Sequence, residues 1–233
     1  MTDPKNDPLP RERPIPIDPD ALIWIAPLAS IGVIGHVFGF GFWLWPIVGA
    51  ISAAFLAFFR DPPRRGPETP GAIWSPADGR VTHIEPNGDA AAGPVPGVRV
   101  SIFLSVLDVH INRAPCAGRV RRIRYERGKF FDARHPDSAT KNESNWIFLD
   151  TPHGPVTVRQ IAGLIARRIV CRAREGDALR RGERIGLIRM GSRTDVILPD
   201  GAEIKVEVGD RVYGGRTAIA EFPSPPRTPD VAG

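Results

Sequence analysis

The chain has 233 residues, a formal charge of +5, 42% apolar residues, 25 prolines and 24 glycines; that length holds one sizeable domain and a small appendage, and the composition favours short strands over long helices. A basic balance points to nucleic acid or to an anionic membrane, yet no helix-turn-helix, zinc-finger or RNA-binding aromatic pattern occurs, which excludes the common nucleic-acid modules. Cys116 and Cys171 stand far apart and outside any C-x-x-C pair, which excludes zinc and dithiol motifs and predicts two reduced, partly buried thiols.

Residues 1–20 are proline-rich and read as a loosely ordered tail. Residues 21–59 then contain no Asp, Glu, Lys or Arg, and His36 is their sole titratable side chain. A charge-free stretch of that length in a small protein is membrane sequence. A cleavable signal does not fit, because acids and prolines precede the stretch and no basic n-region leads into it. Residues 37–59 suffice for one crossing, whereas 21–35 are short for a second. Gly35, Gly39 and Gly41 allow a turn between two tilted helices, and Trp24, Trp43 and Trp45 suit the headgroup boundary. Arg60, Arg64 and Arg65 follow at once, as expected of a cytoplasmic end near anionic lipid. The expectation is a helical hairpin with both tails in the cytoplasm at the inner membrane; a single span is the alternative.

From Arg60-Asp61-Pro62-Pro63 onward the sequence reads as a second, soluble domain over 60–222, followed by another proline-rich tail over 223–233. Its apolar runs are short and β-branched: 98–104, 146–149, 156–161, 184–188, 194–198 and 202–208. Asp78-Gly79, Asn87-Gly88 and Asp200-Gly201 supply turns, and together these features predict an all-β sandwich or barrel. Helical signal is weak in this domain, and 105–112 is its best candidate for a short helix or helical turn.

The C-terminal third echoes itself. Gly176-Asp177 is followed by Gly182, Ile185, Leu187 and Ile188; Gly209-Asp210 is followed at matching spacing by Gly215, Ala218 and Ile219. Two equivalent turn–strand units are predicted, each with glycines at positive φ. This echo resembles the lipoyl/biotinyl carrier fold, a barrel-sandwich whose hairpin tip carries the acceptor Lys. Here that tip reads Met190-Gly191-Ser192-Arg193. The attachment point of a carrier is therefore missing, and a Gly-Ser bond stands in its place.

The run from Gly182 to Val196 closely resembles the self-cleavage region of the short-form, pyruvoyl-dependent phosphatidylserine decarboxylases. Further segments agree in the same order: Phe59-Arg60-Asp61-Pro62, Ser75-Pro76-Ala77-Asp78-Gly79, Phe103-Leu104-Ser105, Asp108-Val109-His110-Ile111-Asn112-Arg113, Asn142-Glu143 with Asn145, and Gln160-Ile161-Ala162-Gly163 leading to Ala166-Arg167-Arg168-Ile169. The resemblance implies that the chain cuts itself between Gly191 and Ser192 into a β chain, 1–191, and an α chain, 192–233, which stay together as a heterodimer. Ser192 would become a covalent pyruvoyl group, the electron sink that removal of CO2 from an α-amino acid requires. Phosphatidylserine in the membrane would be converted through a Schiff base to phosphatidylethanolamine; neither a metal nor nucleic acid is expected.

Chemistry narrows the roles. Gly191 lets an attacking oxygen approach its carbonyl, and the Ser192 hydroxyl needs a base to become a nucleophile. By position in the family's motifs, His110 is the expected base and Asp78 the acid that orients it. Long-form relatives carry a second His three residues beyond the first; here that place is Arg113, whose fork suits a substrate carboxylate or phosphate. Arg168, with Arg167, is the other expected phosphate ligand. Two readings remain beside this one: an ether-linked analogue of the same lipid as substrate, and a membrane-tethered carrier or adaptor without cleavage.

Overall fold

A computed structural model describes residues 16–66, 68–69, 71–86, 97–133, 135, 137–164, 168–189 and 191–222. The turns expected at Asn87-Gly88, the proline-rich ends 1–15 and 223–233, Arg167 and Met190 lie outside these residues.

The charge-free stretch forms the expected hairpin. A 3-10 turn, Pro19–Ala21, leads into α1 (Leu22–Val37), and α2 (Leu44–Phe58) returns alongside it. Trp24 stacks on Phe55 with ring centroids 5.2 Å apart, while at the far end Trp45 lies against Gly32. A Cβ on Gly35 would fall 2.3 Å from Leu44 Cδ2, so glycine sets how closely the helices approach. Gly39 and Gly41, at φ of 82° and 67°, make the reversal in a conformation other residues resist. Residues 16–20, expected within the tail, belong to the folded structure. Ile17 bridges Arg60, Asp18 N–H donates to the Phe59 carbonyl at 2.7 Å, and the Asp18 carboxylate takes Arg172 at 2.6 Å.

The remainder is mainly β, as the turn and strand pattern predicts. Eight strands form one antiparallel sheet in the order β13 (Arg211–Val212), β2 (Gly79–Pro86), β3 (Gly97–Leu104), β11 (Ser192–Pro199), β7 (Gly154–Ile161), β6 (Ser144–Thr151), β5 (Gly118–Glu126), β9 (Ala178–Leu179). Two smaller sheets cover it: β1 (Ala72–Trp74), β14 (Ala218–Glu221) and β12 (Glu203–Ile204), and β4 (Ile111–Arg113), β10 (Arg184–Ile188) and β8 (Ile169–Cys171). Alternation along the central strands sends Val100, Ile102 and Leu104, and likewise Val196 and Leu198, into one core shared with Ile73, Ile185 and Ile219 of the smaller sheets. On the opposite face, Arg193 forks onto Asp195 and Trp146 lies under Arg159.

The internal echo is a repeated set of hydrogen bonds. Arg174 N–H donates to the Asp177 carboxylate at 2.8 Å, and Glu207 N–H donates to Asp210 at 2.9 Å. Gly176 and Gly209 N–H then donate to the Val120 and Val81 carbonyls, both at 2.8 Å. All four glycines of the echo have positive φ.

Three local expectations are narrowed or corrected. Of the short helix or helical turn expected at 105–112 only a single turn forms: Asp108 N–H donates to the Ser105 carbonyl at 2.9 Å, and the Asp108 carboxylate captures the N–H and hydroxyl of Ser105, each at 2.8 Å, so no helix runs on toward β4. The run 202–208 contributes only β12 before the Glu207–Asp210 turn intervenes. The Gly191-Ser192 bond is not a hairpin tip, because β10 and β11 belong to different sheets, and Ser192 is fully buried. The chain crosses between the two layers there, since each strand finds its hydrogen-bond partners elsewhere.

Asp61, just after the hairpin, is buried between Arg113 of β4 (2.5 Å) and Arg184 of β10. Removing it leaves two guanidinium groups uncompensated in a poorly hydrated place. Asp61→Ala is expected to cost about 3–5 kcal/mol, read by chemical unfolding in detergent; a cost under about 1 kcal/mol, the range of surface pairs, would contradict the arrangement.

Candidate active site

β11 begins at Ser192, whose side chain points inward on the same face as Thr194. The strand beside it, β7, ends at Ile161, so the following Ala162 and Gly163 occupy the flank of the crossing. Gly163 is packed so tightly under the Gly191 carbonyl that a Cβ there would lie 1.8 Å from the oxygen. Gly191 itself has φ of 63°. Ser192 Oγ is buried and makes no hydrogen bond among the described residues. A buried hydroxyl without a partner is uncommon and calls for an explanation.

His110 comes from the chain just before β4 and meets this bond from the opposite layer. Its Nδ1 lies 2.9 Å from the Asp108 carbonyl, and its Nε2 lies 3.3 Å from Gly191 N. A carbonyl can only accept and an amide N–H can only donate, so the proton sits on Nδ1 and the lone pair of Nε2 faces the Gly191-Ser192 segment. Phe58, the last residue of α2, covers the imidazole at 4.4 Å between ring centroids. Burial therefore pushes the His110 pKa down to about 4, with the nearby Asp108 opposing and Arg60 adding to the fall. At neutral pH the ring is a neutral base.

Asp78 and His110 are not brought into contact. The Asp78 carboxylate accepts from Arg64 and from Gly214 N–H, both at 2.7 Å. Burial raises its pKa and Arg64 works against the rise. The group that fixes the His110 tautomer is instead the backbone carbonyl of Asp108, a partner that the side-chain pattern does not reveal. Asp108 is itself held by Ser105 and Arg211.

Arg113 does not open onto this site. Its fork is spent on Asp61, the Gly182 carbonyl (3.1 Å) and the Pro62 carbonyl (3.2 Å). Burial lowers its pKa to about 10, and Asp61 resists the fall. A buried arginine requires a counter-charge, and Asp61 with two backbone carbonyls holds both terminal nitrogens of the fork away from this site. Arg168 is exposed, and its carbonyl accepts Arg189 N–H at 3.3 Å.

Below Ser192 lies a buried polar row. Asn145 donates to Gln160 at 3.0 Å, Gln160 to Asn112 Oδ1 at 2.8 Å, and Asn112 to Thr194 Oγ1 at 3.0 Å. Asn145, Gln160 and Thr194 are cross-strand neighbours on β6, β7 and β11, and Asn112 reaches them from the facing layer. Residues 110 and 112 thus meet residues 191–192 and 194 in matched register. The row locks the two layers so that the imidazole stays opposite the Gly-Ser bond.

These features define a class: a mainly β domain on an apolar helical hairpin, with a serine and a neutral histidine converging on one of its own peptide bonds. The family model for phosphatidylserine decarboxylase matches residues 51–220, and the chain belongs to that family. It is also 45% identical over 182 residues to the phosphatidylserine decarboxylase proenzyme of Nitrosomonas europaea, an alignment covering 77% of this chain and 84% of that protein. The protein is an enzyme of the decarboxylase class.

Asn112→Ala would remove the acceptor of the Gln160 side-chain N–H and the donor to Thr194 Oγ1 in the core. It is expected to cost about 1–3 kcal/mol in denaturant unfolding; an unchanged midpoint would show that the row does not lock the layers.

Proposed function

We propose that the chain is a self-processing proenzyme that decarboxylates phosphatidylserine to phosphatidylethanolamine with a pyruvoyl group made from Ser192. One observation supports this reading above the others: the His110 lone pair faces the Gly191-Ser192 segment, where a buried Ser192 hydroxyl has no hydrogen bond among the described residues. The residues fit such a group. Position 192 is enclosed, lies beside a neutral base, and follows a glycine whose own Cα leaves space around it.

In this reading His110 Nε2 accepts the Ser192 proton as Oγ attacks the Gly191 carbonyl carbon. The C–N bond breaks, the nitrogen takes a proton, and an ester joins Gly191 to Ser192. Removal of the Cα proton of residue 192 expels the Gly191 carboxylate and leaves dehydroalanine. Water then replaces nitrogen as ammonia departs, and the carbonyl end is complete. When present, that group supplies the electron sink for the carbanion left by CO2. Once its Nε2 has taken a proton from the incoming substrate amine, His110 can return that proton to the substrate carbon, so a single histidine serves both stages where long-form relatives have two. Arg168 is the exposed cation offered to the headgroup, and Arg113 keeps its place in the fold.

The hairpin explains how the domain meets a substrate that stays in the bilayer. Residues 19–37 form 19 helical residues, about 28 Å at 1.5 Å per residue. α2 has 15, about 22 Å, against a hydrocarbon core of about 30 Å. The reading is a hairpin buried deeply in one leaflet and beyond, with its base and the β domain on the cytoplasmic face.

On a denaturing gel, purified protein should give fragments 1–191 and 192–233, the smaller blocked to N-terminal sequencing. Ser192→Ala should remain uncut and inactive; an uncut but active variant would remove Ser192 as the cofactor source. His110→Ala should slow cutting strongly, and normal processing would move the base elsewhere. Because the buried His110 is neutral down to about 4, cutting should be insensitive to pH near neutrality and fall only as acid approaches that value. Unfolded His binds protons near 6.5, so stability should also decline as pH falls from there toward about 4. Gly163→Ala must displace the scissile carbonyl, and cutting should slow on the order of 10²-fold; unchanged processing would contradict the packing of Gly163 under Gly191.

A further inference from the structure

We infer that the Ser105–Asp108 turn is a lipid-inserting wedge that seats the mouth of the site against the bilayer, with Val106 and Leu107 entering the headgroup–acyl boundary. This rests on the membrane placement proposed above. Tight turns ordinarily carry Gly, Asn, Asp or Ser at their tips. Here the two tip positions are aliphatic, and Leu107 is 83% exposed and Val106 47%. The turn is rigid rather than collapsed, since the Asp108 carboxylate holds both the N–H and hydroxyl of Ser105 and is sealed by Arg211.

Its location commits it to lipid. Arg60, two residues past α2, donates to the Ala57 carbonyl at 2.6 Å and to the Leu107 carbonyl at 2.5 Å. The tip is therefore tied to the helix end that leaves the hairpin, at the level where membrane gives way to water. The apolar surface is continuous beneath it: Phe58 and Phe59 pack with Val109 and Ile111, the residues that follow the turn. On the other flank of the Gly191-Ser192 bond, Leu164 follows Gly163 and is 57% exposed. An exposed leucine thus lies close in sequence to each of the two residues that meet Gly191, His110 and Gly163, while Arg60 holds the Leu107 carbonyl and the exposed Arg168 borders Arg189. An aliphatic rim with basic residues matches an anionic lipid surface. Leu107 lies three residues before His110, so seating the turn also sets the height of the imidazole above the headgroups.

The test uses the full chain in vesicles of phosphatidylcholine and phosphatidylserine, with an environment-sensitive fluorophore on Leu107→Cys. Cys116 is buried and Cys171 half-buried, each with its thiol pKa raised by burial, so both resist labelling. The expected result is a blue shift and quenching by lipids spin-labelled near the headgroup, with no quenching at Tyr125→Cys on β5. No quenching at position 107 overturns the proposal, as does equal quenching at both positions, or a blue shift that appears without vesicles and marks a protein contact. Leu107→Ser should weaken turnover of vesicle substrate roughly ten-fold, as expected for losing one buried leucine. It should spare a short-chain, water-soluble phosphoserine lipid, and Leu107→Phe should restore vesicle turnover. Equal losses on both substrates would make the turn merely structural. The fluorophore is read without catalysis: quenching at position 107, together with an unsubstituted protein that turns over no phosphatidylserine, would sink the decarboxylase reading and leave the wedge standing.

Discussion

The hydrogen bond from Gly191 N–H to His110 Nε2 joins two layers of the domain at the point where the chain passes from one to the other. For that contact to form, the imidazole must be neutral, carry its proton on Nδ1 and be held at the right height. The Asp108 carbonyl settles the tautomer, and Phe58 supplies the apolar cover that keeps the ring uncharged. The Asn145–Gln160–Asn112–Thr194 row keeps the layers in register two residues away. Each is a modest interaction, and their effect lies in agreeing on one geometry.

Hairpin and site are one packing unit. The last residues of α2 bury themselves against Val109, Ile111 and Leu187, and Phe58 lies directly on His110. On the opposite side of the helix base, Asp18 and Asp20 pair with Arg172, and Asp20 also meets Arg189. Asp61 then fastens the exit of the hairpin to β4 and β10 through Arg113 and Arg184. The apolar hairpin is thereby fixed to the wall of the site instead of trailing from a flexible linker.

Much of this was legible in the residues. The runs at 184–188 and 194–198 fall on β10 and β11 because both are β-branched and almost wholly buried. The paired Gly-Asp turns announced a repeat that the hydrogen bonds reproduce. By contrast, β5 was missed: its sequence GRVRRIRYE is dominated by arginines, which stack over Trp146 and Phe148 on the outer face and hide the alternation. The tautomer-fixing partner of His110 is a backbone carbonyl, and any residue type provides one. Phe58 lies inside the charge-free stretch, where nothing in the sequence sets it apart from its apolar neighbours. Arg113 looked like a ligand because its counter-ion, Asp61, is 52 residues away in sequence.

The most direct measurement is the intact mass of the smaller fragment released from purified protein. A pyruvoyl end makes fragment 192–233 lighter than the same peptide with a free serine by one ammonia. Our account predicts that lighter mass, and a single small species. A fragment with the full mass of a serine-started peptide would mean ordinary proteolysis at Gly191-Ser192 and would contradict it.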